Sequence, residues 1–131
     1  MTLIDLLFLY IAFRMKHFVC DFLLQTNWMA TKKGDPGIKG YKALFSHCSI
    51  HAVGTALIAL IFSPTLIWLA AVDFAIHSII DRGRAILGNK KKWTCSDKAF
   101  WVSLGIDQEF HNATHLILII IIYTHSHGAL F

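Results

Sequence analysis

Four stretches of this chain each place two potential metal-ligating side chains four residues apart, inside segments that are otherwise apolar. They are His17 and Asp21, His47 and His51, His77 and Asp81, and Asp107 and His111. Residues at that spacing lie one above the other on one helix face. Ionisable groups in such helices are costly to desolvate and by default mark function. Scattered at random, the His and Asp residues would give roughly one or two pairs at this spacing. The chain has six: the four above, Asp73 with His77, and His111 with His115. The constraint on the fold is therefore strong. Four helices must assemble so that their polar pairs meet in one shared interior.

Composition sets the solvent around those helices. The chain has 131 residues, room for a single domain over 1–131 and too few for two of ordinary size. Apolar residues make up 56% and the mean hydropathy is +0.56, well above a typical soluble domain. A membrane protein is expected. The formal net charge is +4, with basic residues concentrated in Lys32 to Lys42 and Arg82 to Lys98. No basic run interleaves with aromatics, so no nucleic-acid partner is expected, and membrane topology explains the charges better. Cys20, Cys48 and Cys95 form no Cys-x-x-Cys motif and argue against a disulfide framework. Cys20 and Cys48 adjoin candidate ligands, but helix neighbours point about 100° apart, so both read as core thiols. The apolar run Leu3 to Phe13 is interrupted by Asp5, lacks a preceding basic region and is not followed by a small-residue cleavage site. It reads as the first half of a retained helix rather than a signal peptide.

The pattern predicts helix one from about Thr2 to Ala30, stopped by the Lys32–Gly37 stretch. Helix two should span Tyr41 to Phe62, with Ser63-Pro64-Thr65 as a tight turn. Helix three should run from Thr65 to Leu87 and end at Gly88 and Asn89. Ser96 or Asp97 should cap helix four, which runs to Thr124. Each segment can cross roughly 30 Å of hydrocarbon. The fold class is all-α: an integral membrane four-helix bundle. Lys32, Lys33, Lys39 and Lys42 place loop one in the cytoplasm, and Arg82, Arg84, Lys90, Lys91, Lys92 and Lys98 do the same for loop three. Both termini then lie on the same, outer side. Trp28, Tyr41, Trp93 and Trp101 fall at the cytoplasmic boundary, with Trp68 and Tyr123 toward the other.

Because the helices alternate in direction, all four pairs fall in the cytoplasmic half, roughly 9 to 21 Å from its boundary at the helical rise. The outer half is nearly pure hydrocarbon: Leu3–Phe13, Ala56–Phe62, Leu66–Val72 and Leu116–Tyr123. Interhelical hydrogen bonds would account for one or two histidines. They account poorly for eight imidazole and carboxylate groups, because each charge must be desolvated. Imidazole with carboxylate suits a divalent transition metal, zinc first, with manganese or iron as alternatives. Helix bundles build such sites from inward side chains. Five His and three Asp exceed the needs of one tetrahedral ion and fit two ions with open positions for substrate. Paired ions would polarise a phosphoryl or carbonyl oxygen. No Gly-x-Ser-x-Gly and no glycine-rich phosphate loop offers a competing chemistry.

Other residues share these faces. Arg14 and Gln25 lie on the face of His17 and Asp21; Arg84 follows Asp81 by one turn at the cytoplasmic mouth; Gln108 and Glu109 flank the helix-four pair. A deep Arg14 calls for an anion, either an Asp or a substrate phosphate. Gly54 and Thr55 would permit close packing beside His51. Asp73 and His115 extend the ligand faces outward and read as partners that orient the ligands. Lys16 sits deep with no evident partner. His125 and His127 read as a frayed tail.

The stretch His17-Phe18-Val19-Cys20-Asp21-Phe22-Leu23-Leu24-Gln25-Thr26, with His47-x-x-x-His51, His77-x-x-x-Asp81 and Asp107-Gln108-x-x-His111, resembles a family of small bacterial and phage membrane proteins. That family is catalogued as a domain of unknown function, number 3307. It looks like the membrane-bound metal-dependent hydrolases in turn, which carry His and Asp on membrane helices. The resemblance implies hydrolysis but names neither metal nor substrate. The expectation is a hydrolase acting on a phosphoester or similar bond of a membrane lipid or lipid-like substrate. It would lie in a bacterial inner membrane, or a host membrane for a phage-encoded chain. His17, Asp21, His47, His51, His77, Asp81, Asp107 and His111 would hold metal, and Asp81, Asp107, Arg14 and Arg84 would serve catalysis. The alternatives are a metal or proton transporter, a bis-His haem protein, and a purely structural membrane protein. The oligomeric state is open.

Overall fold

Thr2 opens α1 (Leu3–Phe18) with a capping box: its hydroxyl accepts from the Asp5 N–H, and the Asp5 carboxylate accepts from the Thr2 N–H. The computed structural model describes residues 1–128. The expected single helix to Ala30 is interrupted. A π-helical segment, Val19–Leu23, closes with Leu24 N–H donating to the Val19 carbonyl (3.0 Å). The chain then breaks, and Thr26 caps the short α2 (Asn27–Lys32) by accepting from the Met29 N–H. Neither Gly nor Pro marks this break. The Thr26-Asn27 cap is its sequence signal.

α3 (Gly37–Phe62) starts four residues before the expected Tyr41. Pro36, in extended conformation, stands at its N-cap, and Gly37 adopts φ +76°. A 3-10 turn at Pro64–Leu66 leads into α4 (Leu69–Lys91), as the Ser63-Pro64-Thr65 turn anticipates. α4 passes through Gly88 and Asn89 and ends at Lys92, which takes the left-handed conformation (φ 55°). There Trp93 N–H donates to the Gly88 carbonyl (3.1 Å), a Schellman closure made without glycine. α5 (Lys98–His125) begins after Asp97, whose carboxylate accepts from Thr94 N–H (2.7 Å) and Thr94 Oγ1 (2.9 Å). Those bonds hold its carboxyl below the usual range.

The chain is thus all-helical among the described residues. Two units are long and apolar enough to cross a membrane, Gly37–Phe62 and Pro64–Lys91. The expectation that all four segments qualify is not met. α1 is cut to 16 residues by the π segment. α5 is long, but its first half carries Asp107, Gln108, Glu109, His111 and Asn112.

Packing positions the site. α3 packs on α4, α4 on α5, and α1 on both α3 and α5, so the four long helices close a ring. At one end, an apolar core joins Leu9 and Phe13 (α1), Ile58 (α3), Leu66 and Leu69 (start of α4), and Leu118, Ile119 and Ile122 (α5). The other end, where α1 leaves and α5 enters, buries polar groups instead: His17, Lys33, His47, His51, His77, Asp81, Asp107 and His111. The outer surface is apolar over much of its length, with Leu7, Leu57, Ile79, Phe110 and Ile117 each more than half exposed. The C-terminal residues 129–131 lie outside the described residues, and so does any placement of the final residue.

Candidate metal centre

The interior polar groups stack in layers along the ring. The layer next to the apolar core centres on Asp73 and contains Lys16, which the sequence left unexplained. Lys16 Nζ donates to Asp73 Oδ2 (2.7 Å) and lies 3.2 Å from His115 Nε2. Thr55 Oγ1 donates to the same carboxylate oxygen (2.7 Å). Gly54 makes room: a Cβ there would stand 2.7 Å from Lys16 Cγ. Lys16 and Asp73 are both buried, so this is an ion pair in the interior; Oδ2 takes both hydrogen bonds and Oδ1 has none. Asp73 and His115, expected to orient the ligands, themselves converge with His77 as a possible ligand group. Asp73 Oδ1 lies 3.7 Å from His77 Nδ1 and 3.6 Å from His115 Nε2.

The next layer is imidazole. His77 lies between His51 and His111, with ring centroids 3.8 Å from each. Its Nε2 and that of His111 point to one carboxylate oxygen, Asp81 Oδ2, at 3.6 and 3.7 Å. His47 Nε2 stands 3.5 Å from that same oxygen and 3.5 Å from Asp21 Oδ1. Asp21, set on the π segment, receives His51 Nε2 at 2.9 Å on Oδ1 and has His17 Nε2 at 2.9 Å from Oδ2. The His17 contact has ion-pair distance without hydrogen-bond alignment. Gln108 Nε2 also donates to Asp21 Oδ2 (3.2 Å). The π turn is where a regular helix would have carried Asp21 past this position, a recurrent use of such bulges. Asp107 Oδ1 lies 3.8 Å from His111 Nε2. All eight side chains proposed from the sequence therefore lie in one connected cluster.

A third layer covers the open end. Lys33, expected in a solvated basic loop, is buried. Its Nζ donates to Asp81 Oδ1 and to Gln25 Oε1 (3.1 Å), while Arg82 Nη1 donates to the Lys33 carbonyl (2.8 Å). Gly40 lets this loop settle on α3, since a Cβ there would stand 1.9 Å from the Asp35 carbonyl oxygen. Sequence reasoning missed Lys33 because a lysine among loop lysines carries no periodic signal. Arg14 departs from expectation. It is exposed at the seam of α1 and α5 and donates to Asn112 Oδ1, so its partner is neither an Asp nor the cluster. The reason is angular: three residues before His17, it falls off the inward face that His17 and Phe13 occupy. Arg84 is half-buried, with its guanidinium 5.1 Å from the Phe100 ring. His125, read as a frayed tail, belongs to α5 and reaches Ser63 Oγ (3.2 Å). Cys20 and Cys48 are buried free thiols, and Cys95 is exposed.

Does this donor set fit a metal ion? Three groups bring ligand atoms within 4.8 Å of one another: Asp21–His47–His51–His77, Asp73–His77–His115, and His77–Asp81–His111. A tetrahedral ion with bonds of about 2.0–2.2 Å spaces its ligand atoms about 3.3–3.6 Å apart. The three Nε2-to-Asp81 distances, 3.5, 3.6 and 3.7 Å, lie at the upper edge of that spacing. Polar satisfaction points the same way. Among the described residues, eleven buried side-chain atoms have no hydrogen-bond partner, including both nitrogens of His47 and His77, Asp81 Oδ2 and Asp107 Oδ1. At about 1–3 kcal/mol each, leaving all of them bare would offset the whole stability of a typical domain, about 5–15 kcal/mol. The interior therefore calls for a cation or ordered water. Charge narrows the choice. Four carboxylates (Asp21, Asp73, Asp81 and Asp107) face two buried ammonium groups (Lys16 and Lys33). With neutral imidazoles, two negative charges remain, the charge of one divalent ion. The residues fit a metal.

The same constellation spans nearly the whole chain, and so does the family match. The model for the family described as Protein of unknown function (DUF3307) matches residues 8–130. The chain belongs to this family. The match covers α1 from Phe8 onward and every side chain of the cluster, so the family assignment and the polar interior concern the same residues. Comparison with curated proteins and with solved structures gave no match.

Proposed function

We propose that this DUF3307 protein is a membrane-embedded, metal-dependent hydrolase of a phosphoester or similar bond in a lipid-like substrate. In this reading the ring is a four-helix bundle spanning a bacterial inner membrane, or a host membrane for a phage-encoded chain. Both termini lie outside, and the polar end faces the cytoplasm. The apolar outer surface around a charged interior supports membrane burial, the inverse of a soluble domain. The observation that carries the metal reading is the convergence of His47, His77 and His111 on Asp81 Oδ2, with that oxygen and the Nε2 atoms of His47 and His77 buried and without a hydrogen-bond partner.

His47, His77, His111 and Asp81 would hold the ion, with Asp21 and His51 completing the shell. Charge balance favours one ion over the two expected from sequence, because Lys16 and Lys33 already neutralise the flanking carboxylates. A divalent ion bound there, zinc first and manganese or iron next, supplies Lewis-acid polarisation of a substrate oxygen. The chain's own residues supply the rest. His17 and Gln108 hold the Asp21 carboxylate in place. Asp73 Oδ1, 3.7 Å from His77 Nδ1, would orient that ring on closing to hydrogen-bond distance. Asp107 Oδ1, buried and unpartnered beside His111, is the base positioned to accept a proton. Arg84 faces the incoming anion. Arg14, drawn to Asn112, is left outside this assignment.

Metal analysis of the purified full chain tests the reading. Stoichiometric zinc, manganese or iron is expected, with loss in His77→Ala and Asp81→Ala. A metal-free preparation whose stability ignores added ions, with His51→Ala and Asp81→Ala behaving as wild type, would sink it. The transporter reading meets the apolar core at the other end of the ring, where Leu9, Phe13, Leu69 and Leu118 close the interior. Ion flux through the protein in sealed vesicles, abolished by Asp107→Asn, would favour it instead.

A further inference from the structure

The interior cluster reaches the outer surface between α4 and α5. A groove of about 360 Å³ runs there, walled by Ile79, Ile80 and Leu87 on α4 and Ile106 and Phe110 on α5. Two charged residues line it, Arg84 and Asp107. They differ in kind. Asp107 is buried, belongs to the cluster through His111, and has an unpartnered Oδ1. Arg84 makes no ion pair among the described residues, and its guanidinium lies over the Phe100 ring. An arginine with no carboxylate partner, at the end of an apolar groove on a lipid-facing surface, is matched by an anionic headgroup carried on a hydrocarbon chain.

We infer that the α4–α5 groove is the lateral entry for a membrane lipid with an exposed phosphate headgroup. The hydrocarbon chain lies along Ile79, Ile80, Ile106 and Phe110, and the phosphate is read by Arg84 at the threshold of Asp107 and the cluster. This rests on the membrane reading above and names the substrate class for it. Gly83 gives a clean way to close the door. It lines the groove, and a Cβ added there meets no atom within 4 Å, so a large side chain fills the groove without disturbing the helix packing.

The test is lipid retention by the full-length protein, extracted from vesicles of phosphatidylcholine mixed with phosphatidic acid and measured by native mass spectrometry. Wild type should retain phosphatidic acid over phosphatidylcholine by about tenfold, the scale of one or two charge-assisted hydrogen bonds. Arg84→Gln should abolish the preference while still binding lipid. Gly83→Phe should lose retained lipid of both kinds. His77→Ala should keep the preference, since the headgroup is selected before it meets the cluster. Equal retention of the two lipids by wild type, or a preference untouched by both Arg84→Gln and Gly83→Phe, would overturn the groove. Phosphatidic acid preference with no hydrolysis of any lipid phosphate would overturn the hydrolase reading and leave the groove standing. Release of the protein from membranes by alkaline carbonate would overturn both.

Discussion

His77 and His111 lie face to face, with ring centroids 3.8 Å apart and planes within 20° of parallel, and both direct Nε2 at the single oxygen Asp81 Oδ2. Two stacked imidazoles at that distance repel strongly once both are protonated. A cation held by both Nε2 atoms, as proposed above, would require both rings to be neutral. His77 also belongs to all three groups of converging ligand atoms. Among single substitutions, His77→Ala should therefore reduce bound metal most. We expect about one ion per chain in wild type and a loss of affinity beyond the 10–100-fold typical of a supporting residue. Elemental analysis of detergent-purified protein checks both figures. Two ions per chain would show that the charge count above is incomplete.

The Lys16–Asp73 pair makes a stability prediction independent of metal. Breaking a buried ion pair from one side costs about 3–5 kcal/mol, because the remaining charge is left unpaired. Lys16→Met should thus strongly lower the unfolding temperature. Lys16→Met combined with Asp73→Asn should be less destabilised than the sum of the two singles. Thermal unfolding of the four proteins in one detergent completes the cycle. Strict additivity would mean that the two side chains do not interact.

Lys33 holds Asp81 Oδ1, and the proposed ion would take the opposite oxygen, Oδ2. Lys33→Met should expose Asp81 to an uncompensated charge and destabilise the protein, and added divalent metal should then rescue it by mass action. The rise in unfolding temperature on adding zinc should be larger in Lys33→Met than in wild type. An equal or smaller rise would place the ion elsewhere. Gly40→Ala, which pushes against the Asp35 carbonyl, should reproduce part of the Lys33 phenotype by lifting the loop.

Orientation is testable with the native cysteines. Cys95 is exposed in the α4–α5 connection, whereas Cys20 and Cys48 are buried. A membrane-impermeant maleimide should label the wild-type protein in inverted vesicles and spare it in intact cells, with Cys95→Ser removing the signal. Labelling from the outside would invert the topology.

What was legible in the sequence follows from periodicity. The i, i+4 pairs required a converging interior, and their shared depth placed it at one end, because both features survive small errors in helix boundaries. The interruption at Val19–Leu23 was not legible. A π turn replaces one hydrogen-bond pattern with another and needs no Gly or Pro, so composition is silent about it. Lys33 was equally hidden: its role depends on a loop folding back, not on helical phase. Lys16 was visible as an anomaly, and its partner Asp73 lay on another helix at a register no single-chain pattern specifies. Arg14 was misassigned because three residues' separation from His17 gives proximity along a helix but not the same facing.

Beyond the Lys16–Asp73 layer, the interior consists of Leu9, Phe13, Ile58, Leu66, Leu69, Leu118, Ile119 and Ile122, with no charge among them. In a membrane this apolar stack is the insulating section. A resting voltage, worth about 2.3 kcal/mol per charge for each 100 mV, would fall mainly across it rather than across the histidines and aspartates. With the polar end facing the cytoplasm, as proposed above, the cluster would sit at the electrical potential of the cytoplasm, indifferent to whether the cell is energised.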